Sequence, residues 1–258
     1  MGRSILSEEL LTLMVYGLDL LTMPTLRKWD QSYEGWLNQN GLWQRMYWLE
    51  KRRLITKQGQ SGAWVYRLTK TGRSAVSGGL DPEKQWARGW DGHWRQLIFD
   101  LPVKQRRTRE RLLRWLRWNR FGYLQDSVWI TPDPVPKVAK TLDHLGEDAE
   151  TFTVLKCRCE TGFSDAALVK GGWRFDEINQ QYNAYQEFAE ATLERRLHVC
   201  SHPRELFKLL REEKWRWSAA FRLDPLLPRV LWSEGYKGKK AWRIRQKLLC
   251  LFASQIQG

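Results

Sequence analysis

The clearest pattern of apolar and polar positions lies in the middle of the chain. Trp94–Asp100 is a short apolar run that ends on a carboxylate, which predicts a buried strand. Residues 103–120 follow with helical periodicity, because on a wheel of about 100° per residue their apolar positions form one arc. That arc carries Thr108, Leu112, Trp115 and Leu116. Half of the other positions are arginine, namely Arg106, Arg107, Arg109, Arg111, Arg114, Arg117 and Arg120.

The residues after this helix predict a pair of strands. Gly122 is expected to end the helix. Tyr123–Ile130 is rich in apolar and aromatic residues up to the prolines that begin at Pro132. A strand, an arginine-rich helix and a strand pair make the first half of a ferredoxin-like unit.

The N-terminal part predicts three helices and a hairpin. Ser7 suits a helix cap, and leucines at helical spacing continue to Leu21. Two further helices and two strands are predicted at Thr25–Trp36, Gln39–Arg52, Leu54–Lys57 and Ala63–Leu68. The break Gln58–Gly62 contains glycine and lies between the strands, which is a hairpin signal. Three helices followed by a hairpin predict a winged helix, a variant of the helix-turn-helix.

A winged helix places its third helix in the major groove of DNA. Glutamine and asparagine suit bidentate recognition of adenine, whereas arginine and lysine suit phosphates. Leu42, Met46 and Leu49 are predicted to face inward, and Tyr47 is compatible with either face. The candidate DNA-binding residues are Gln39, Asn40, Trp43, Gln44, Arg45, Tyr47, Lys51, Arg52, Arg53, Lys57 and Gln60. Winged helices also serve as protein-interaction modules, so the choice of partner depends on charge.

Composition favours a nucleic acid partner. The hydrophobic content of 42% excludes wholesale disorder, and the net charge of +14 with a pI near 9.8 favours a polyanion. DNA is preferred over an anionic membrane because no 18-residue apolar run exists. Glu8 and Glu9 interrupt any signal peptide, and four cysteines without a CxxC pair suit reduced thiols, so a cytoplasmic protein is expected. The sixteen tryptophans suit either stacking on single-stranded bases or core packing, and we favour the core.

The C-terminal third predicts helices. A polar loop before Gly171 is followed by helical patterns at Arg174–Phe188, Arg204–Phe221 and Lys239–Ile256. Two alternating groups of potential metal ligands precede and follow the first of these helices, the pair Cys157 and Cys159 and the set His198, Cys200 and His202, of which four could make a zinc site. Their single-residue spacing differs from that of structural zinc sites, so ordinary thiols are expected and no cofactor is predicted.

Several motifs resemble the PaaX family, bacterial repressors of phenylacetate-degradation operons. These are W-D-G-x-W-R at Trp90–Arg95, L-I-F-D-L-P at Leu97–Pro102 and S-V-W-I-T-P at Ser127–Pro132, with D-P-L-L-P at Asp224–Pro228. The middle segment is also similar to the small ferredoxin-like subunit of the CRISPR spacer-integration complex. The resemblance assigns a second helix to Pro136–Leu145 and a last strand to 151–159.

The resemblance implies a homodimer formed through this middle domain. It also implies release from DNA by phenylacetyl-CoA or a related acyl-CoA. Cations would bind the CoA phosphates and aromatic side chains the acyl group. The candidate effector-binding residues are Arg174, Tyr182, Tyr185, Arg195, Trp217, Arg222 and Trp232. Ser233–Gly238 departs from the family's usual L-P-x-x-W-P-G, which leaves the identity of the effector open.

The sequence therefore predicts an α+β protein that represses transcription by binding an operator in double-stranded DNA and is not an enzyme. We expect a winged helix at 1–78, a linker with a ferredoxin-like dimerisation domain at 79–165, and a helical effector domain at 166–258. The alternative is a metal-dependent nuclease that uses Asp100, the residue that the CRISPR resemblance assigns to metal binding. Asp126 and Asp133 are the only nearby acids at strand ends, which makes a poor ligand set. A subunit that bends or bridges DNA without sequence specificity is a third possibility.

Overall fold

The chain folds as a mixed α+β protein. The computed structural model describes residues 20–21, 42–60, 63–72, 80–101, 106–134, 152–195 and 203–257. Contacts divide the chain into two compact units, of which the first contains Met1–Asp81, Gln181–Ala219 and Lys237–Gly258. The second contains Pro82–Gln180 and Ala220–Tyr236.

The first unit contains a helix followed by an antiparallel sheet. Helix α1 (Leu42–Lys51) leads into β2 (Ile55–Gln60) and β3 (Ala63–Leu68), and a short strand β1 (Leu20–Leu21) precedes it. The strand order is β1-β3-β2. Within the hairpin the register runs from Ile55 opposite Leu68 to Gln60 opposite Ala63. Met46 and Leu49 on α1 are buried, as predicted.

Two details of the N-terminal prediction are wrong. Leu20 and Leu21 were expected to end a helix, but they form β1 and pair with Tyr66 and Val65 of β3. This pairing gives hydrogen-bond partners to the backbone groups of β3 that face away from β2. The predicted break at Gln58 is also wrong, because β2 extends to Gln60. This strand lies at the edge of the sheet, where a glycine such as Gly59 is tolerated. The helix at Thr25–Trp36 and the body of the one from Ser7 lie outside the described residues.

The second unit is built around a four-stranded antiparallel sheet. Its strands are β4 (Trp94–Phe99), β5 (Gly122–Gln125), β6 (Val128–Thr131) and β7 (Phe152–Cys157), in the order β5-β6-β4-β7. Helix α3 (Arg106–Trp118) connects β4 to β5. One face of α3 buries Leu112 and Leu116 in a core that includes Leu97, Phe99, Leu101, Phe121 and Trp129. The predicted second helix, Pro136–Leu145, lies outside the described residues.

The end of α3 differs from the prediction. Arg120, and not Gly122, adopts the left-handed conformation after the helix, with φ at 63°. Gly122 instead lies in β5 beneath the indole of Trp173, and a Cβ atom built there would be 2.8 Å from two ring atoms. The Trp173 indole N–H donates a hydrogen bond to the Arg120 carbonyl at 3.2 Å. Gly122 is therefore required for close packing and not for ending the helix.

Five more α-helices lie in the described residues, besides a helical turn at 70–72 and a 3₁₀ helix at Arg229–Leu231. They are α2 (Pro82–Ala87), α4 (Asp165–Gly172), α5 (Phe175–Glu194), α6 (Pro203–Leu223) and α7 (Gly238–Gln257). The residues before Gly171 were predicted to form a polar loop, and this is wrong because they form α4. The Ser164 side chain caps that helix by accepting a hydrogen bond from the Ala167 N–H at 3.2 Å.

The two units do not follow the order of the chain. Helices α5 and α6 each contribute residues to both units, and residues 220–236 belong to the second. The predicted domains 1–78, 79–165 and 166–258 are consecutive segments of the chain, whereas each compact unit combines segments that are distant in the sequence.

Candidate nucleic-acid interface

Helix α1 presents one continuous exposed face. Gln44, Tyr47, Trp48 and Lys51 are all exposed, and their spacing of three or four residues places them on one side of the helix. Met46 and Leu49 lie on the opposite side and are buried. Tyr47 is 59% exposed, which settles its direction as outward. The face thus combines an amide, two aromatic rings and a cation.

Trp48 belongs to this face although it was not among the predicted residues. Its ring is 49% exposed and packs edge-on against Tyr47, with centroids 6.0 Å apart. The Lys51 ammonium lies 5.2 Å from the centroid of the same ring. These contacts restrain all three side chains before any partner binds. The i+4 spacing from Gln44 was the signal in the sequence that identifies Trp48.

Two exposed arginines follow directly at the end of α1. Arg53 has φ at 57° and its N–H donates to the Glu50 carbonyl at 2.7 Å, which ends the helix in the left-handed conformation that usually favours glycine. The Thr69 hydroxyl donates to the Arg53 carbonyl at 2.6 Å, which joins the end of the hairpin to the end of the helix. Arg52 and Arg53 are therefore held on a defined turn beside the exposed face.

The other predicted DNA-binding residues are described less completely. Gln39 and Asn40 lie outside the described residues. Three more lie in α1 or β2, but their side chains are outside the description, namely Trp43, Arg45 and Gln60. Lys57 is exposed on β2, opposite Tyr66 of β3. Burial, with a smaller contribution from the charge of Glu50, raises the pKa of Tyr66, so its hydroxyl stays neutral beneath the sheet.

The W-D-G-x-W-R motif is a compact ion-paired turn in the second unit. The Arg95 guanidinium donates two hydrogen bonds to the Asp91 carboxylate, at 2.7 and 2.6 Å. The His93 N–H donates to the same carboxylate at 3.1 Å, and Gly92 has φ at 71°. The Arg95 hydrogen bonds hold the pKa of Asp91 well below its usual range. The Trp94 indole donates to Asp165 at 2.7 Å, which attaches the turn to α4.

The acidic residues considered for a nuclease do not converge in the described part of the chain. Asp100 is exposed at the end of β4. Asp133 is held by the Arg88 guanidinium through hydrogen bonds of 2.6 and 2.9 Å. No group of three or more potential metal ligands occurs among the described residues. Asp126 is exposed between β5 and β6, but within the described ranges it forms no such group with Asp100 and Asp133.

Three of the predicted effector residues form a packed cluster in the first unit. Tyr182, Tyr185 and Trp217 are buried, with ring centroids 5.2 to 5.8 Å apart. The Tyr185 hydroxyl donates to the buried Glu213 carboxylate at 2.9 Å, and the Arg245 guanidinium donates to the same group at 2.7 Å. The arginine also lies 4.7 Å from the Trp217 ring centroid. This arrangement stabilises the packing of three helices.

The remaining predicted effector residues are distributed elsewhere. Arg174, Arg195 and Arg222 are exposed, and Arg174 pairs with Glu177 at 3.0 Å. Trp232 is half-buried in the second unit, where its ring packs against Trp86 and Tyr236.

The two described thiols of the possible zinc set are held in the protonated form. Burial, followed by the hydrogen bond and charge of Asp165, raises the pKa of Cys159 to about 11. Burial also raises the pKa of Cys157. His198, Cys200 and His202 lie outside the described residues.

Comparisons with known proteins agree with the resemblance read from the motifs. Residues 87–169 match the family model described as the PaaX protein central Cas2-like domain. The chain is also similar to the solved structure of the uncharacterized protein Rv0674 from Mycobacterium tuberculosis. The two are 16% identical with a TM-score of 0.57, over 99% of this chain and 98% of that chain. No curated protein matches. The predicted PaaX resemblance is confirmed.

Among the described helices, none is both long enough and apolar enough to cross a lipid bilayer.

Proposed function

We propose that this chain, whose residues 87–169 match the model of the PaaX central Cas2-like domain, is a transcriptional regulator that binds DNA through α1. The single observation that carries the proposal is the exposed face of Gln44, Tyr47, Trp48 and Lys51, followed at once by Arg52 and Arg53. An amide suits base recognition and the cations suit phosphates. The net charge of +14 favours the same partner.

The proposal assigns α1 and the hairpin β2–β3 to a winged helix, with α1 as the recognition helix. A helix followed by a two-stranded hairpin, with β1 as the third strand, supports this assignment. In such domains the helix enters the major groove and dimers read two half-sites. Operator binding by this helix is the molecular basis that we propose for repression.

The same proposal assigns a ferredoxin-like fold and a dimer interface to the central unit. The order β5-β6-β4-β7, with α3 between β4 and β5, supports the fold. Homodimerisation, and release by phenylacetyl-CoA or a related acyl-CoA, rest on the family. The buried cluster of Tyr182, Tyr185 and Trp217 is packed with protein side chains, so it does not by itself support a ligand site.

A gel-shift titration with DNA from the protein's own promoter tests the proposal. Gln44→Ala is expected to relax sequence preference, because a bidentate contact discriminates by about 1–3 kcal/mol. Arg52→Ala is expected to weaken binding to all sequences alike. Arg174→Ala is the matched control, since it removes an exposed arginine outside α1. If Gln44→Ala and Arg52→Ala both leave operator affinity at the control value, the assignment of α1 is wrong.

The proposal gives Asp100 no catalytic role. Incubation of the protein with Mg²⁺ and labelled DNA or RNA is expected to give no cleavage that Asp100→Asn removes. Cleavage that depends on Asp100 would identify a nuclease instead.

A further inference from the structure

The outer face of α3 carries a row of arginines in the second unit. Arg107, Arg111 and Arg114 are exposed, and they follow one another at four and three residues. Near 100° per residue they fall within about 60° of one another, on the side of the helix opposite Leu112 and Leu116. We call these three residues the α3 stripe. With a rise of about 1.5 Å per residue, the stripe extends over about 10 Å.

The stripe is distinct from the arginines of α3 that make contacts within the protein. Arg106 pairs with Glu110 at 2.9 Å, and the Arg109 and Arg117 guanidinium groups lie about 6 Å from the rings of Phe99 and Trp129. By contrast, the three stripe residues have no ion-pair or hydrogen-bond partner within the described ranges. Three uncompensated cations are thus aligned on a rigid helix.

We propose that the α3 stripe binds the phosphate backbone of double-stranded DNA, as a contact additional to α1. This inference rests on the proposed function and names further residues that carry it out. Duplex DNA presents one negative charge for about every 1.7 Å of its axis, so a 10 Å row of cations meets several phosphates. The helix itself carries six arginines and one glutamate, a net charge of +5 (6 − 1) in thirteen residues. Charge complementarity therefore selects a dense polyanion over a protein surface.

The next turn of the helix distinguishes duplex from single-stranded nucleic acid. Trp118 is 82% exposed and continues the line of the stripe. A lone exposed indole beside cations also suits base stacking on a single strand. Duplex DNA is favoured because the stripe offers three cations and only one ring, whereas single-strand sites repeat aromatic platforms.

The salt dependence of binding to a duplex of the protein's own promoter tests the inference. The variant combines Arg107→Gln, Arg111→Gln and Arg114→Gln. Each lost phosphate contact lowers the slope of log K against log salt concentration by about 0.9, so the slope should fall by about 2.7. Between 50 and 200 mM salt, wild-type affinity should then decrease about 40-fold more than the variant's. Thermal melting should be unchanged, because the three side chains are exposed.

A control of equal charge separates local contact from net charge. It combines Lys170→Gln, Lys208→Gln and Arg211→Gln, three exposed cations outside α3. Its slope is expected to change by less than about 1. An equal loss of slope in the control and the stripe variant would overturn the inference, as would tighter binding of single-stranded DNA that Trp118→Ala abolishes.

The outcomes also separate this inference from the proposed function. If the wild-type protein binds its site specifically and the stripe variant keeps the wild-type salt slope, the phosphate contact of the α3 stripe is wrong, but the proposed function stands. Absence of wild-type duplex binding contradicts the proposed function.

Discussion

Replacing Arg53 by glycine separates folding from DNA binding. Arg53 holds a φ of 57° after α1, a conformation that costs a non-glycine residue about 1–2 kcal/mol. Glycine removes this cost but loses about 0.5–1 kcal/mol through its freedom in the unfolded chain. Arg53→Gly is therefore expected to leave the free energy of unfolding unchanged or raise it by up to about 1.5 kcal/mol. This corresponds to an increase in melting temperature of at most about 6 °C.

Binding should change in the opposite direction. The exposed Arg53 side chain is proposed to contact a phosphate, and one charge-assisted hydrogen bond contributes about 1.5 kcal/mol or more. Its loss should weaken duplex binding about tenfold and lower the salt slope by about 0.9. Fluorescence anisotropy with labelled duplex, next to a thermal melt of each variant, measures both effects.

Arg120→Gly is the control for the backbone argument. Arg120 has φ at 63°, but its guanidinium also donates to the carbonyl oxygens of Phe221, at 3.0 Å, and Asp224. The loss of these hydrogen bonds should exceed the backbone gain and destabilise the protein by about 2–4 kcal/mol. A lower melting temperature for Arg53→Gly would refute the backbone argument. Unchanged DNA affinity would refute the phosphate contact.

Three further predictions concern packing and thiol chemistry. Gly122→Ala should cost about 1–3 kcal/mol in urea unfolding, because its Cβ would be 2.8 Å from a packed indole. Arg245→Met should lower the free energy of unfolding by about 3–5 kcal/mol, because it leaves the carboxylate of Glu213, which is 1% exposed, without its cation. The double variant with Glu213→Leu should regain most of this stability. With its pKa raised to about 11, about one Cys159 thiol in a thousand is ionised at pH 8. Iodoacetamide should therefore modify the exposed Cys250 first, and Cys159 only after unfolding; equal rates in the folded protein would contradict this.

Periodicity located the main elements of the central fold. The alternation of Leu112 and Leu116 with arginines placed α3 within a few residues, because a helix on a sheet must bury one side. The predicted helix Arg204–Phe221 starts within one residue of α6 for an equally local reason, since proline, here Pro203, is favoured at the first position of a helix. Local pattern is informative where one face of an element is buried and the other exposed.

Other elements depend on contacts between residues that are far apart in the sequence, which a local pattern of apolar and polar residues does not encode. The strand at Leu20–Leu21 exists through its pairing with β3, more than forty residues later in the chain. Helix α4 has a weak amphipathic pattern, and the residues before Gly171 were predicted to form a polar loop. In the structure, a Cβ atom added to Gly172 would lie 3.3 Å from the side chain of Ile130. The glycine therefore permits α4 to pack closely on the sheet.

The sequence predicted which side of α1 is exposed, but it did not identify every residue on that side. A helical wheel placed Gln44 outward and left Tyr47 compatible with either face, and the same wheel places Trp48 beside Gln44. The proposed effector aromatics show the opposite outcome. Tyr182 and Tyr185 have the spacing of a ligand-facing stripe, but helical spacing is the same for a core stripe, and here the rings are buried against Trp217.

Selection from a random library of duplexes tests the central claim most directly. We predict enrichment of one site made of two related half-sites, since the proposed homodimer would present α1 twice. Sequence preference within each half-site should relax in Gln44→Ala and persist in the stripe variant. A library that stays random under wild-type protein, or the same enriched site and preference in Gln44→Ala, would contradict the claim that α1 reads DNA.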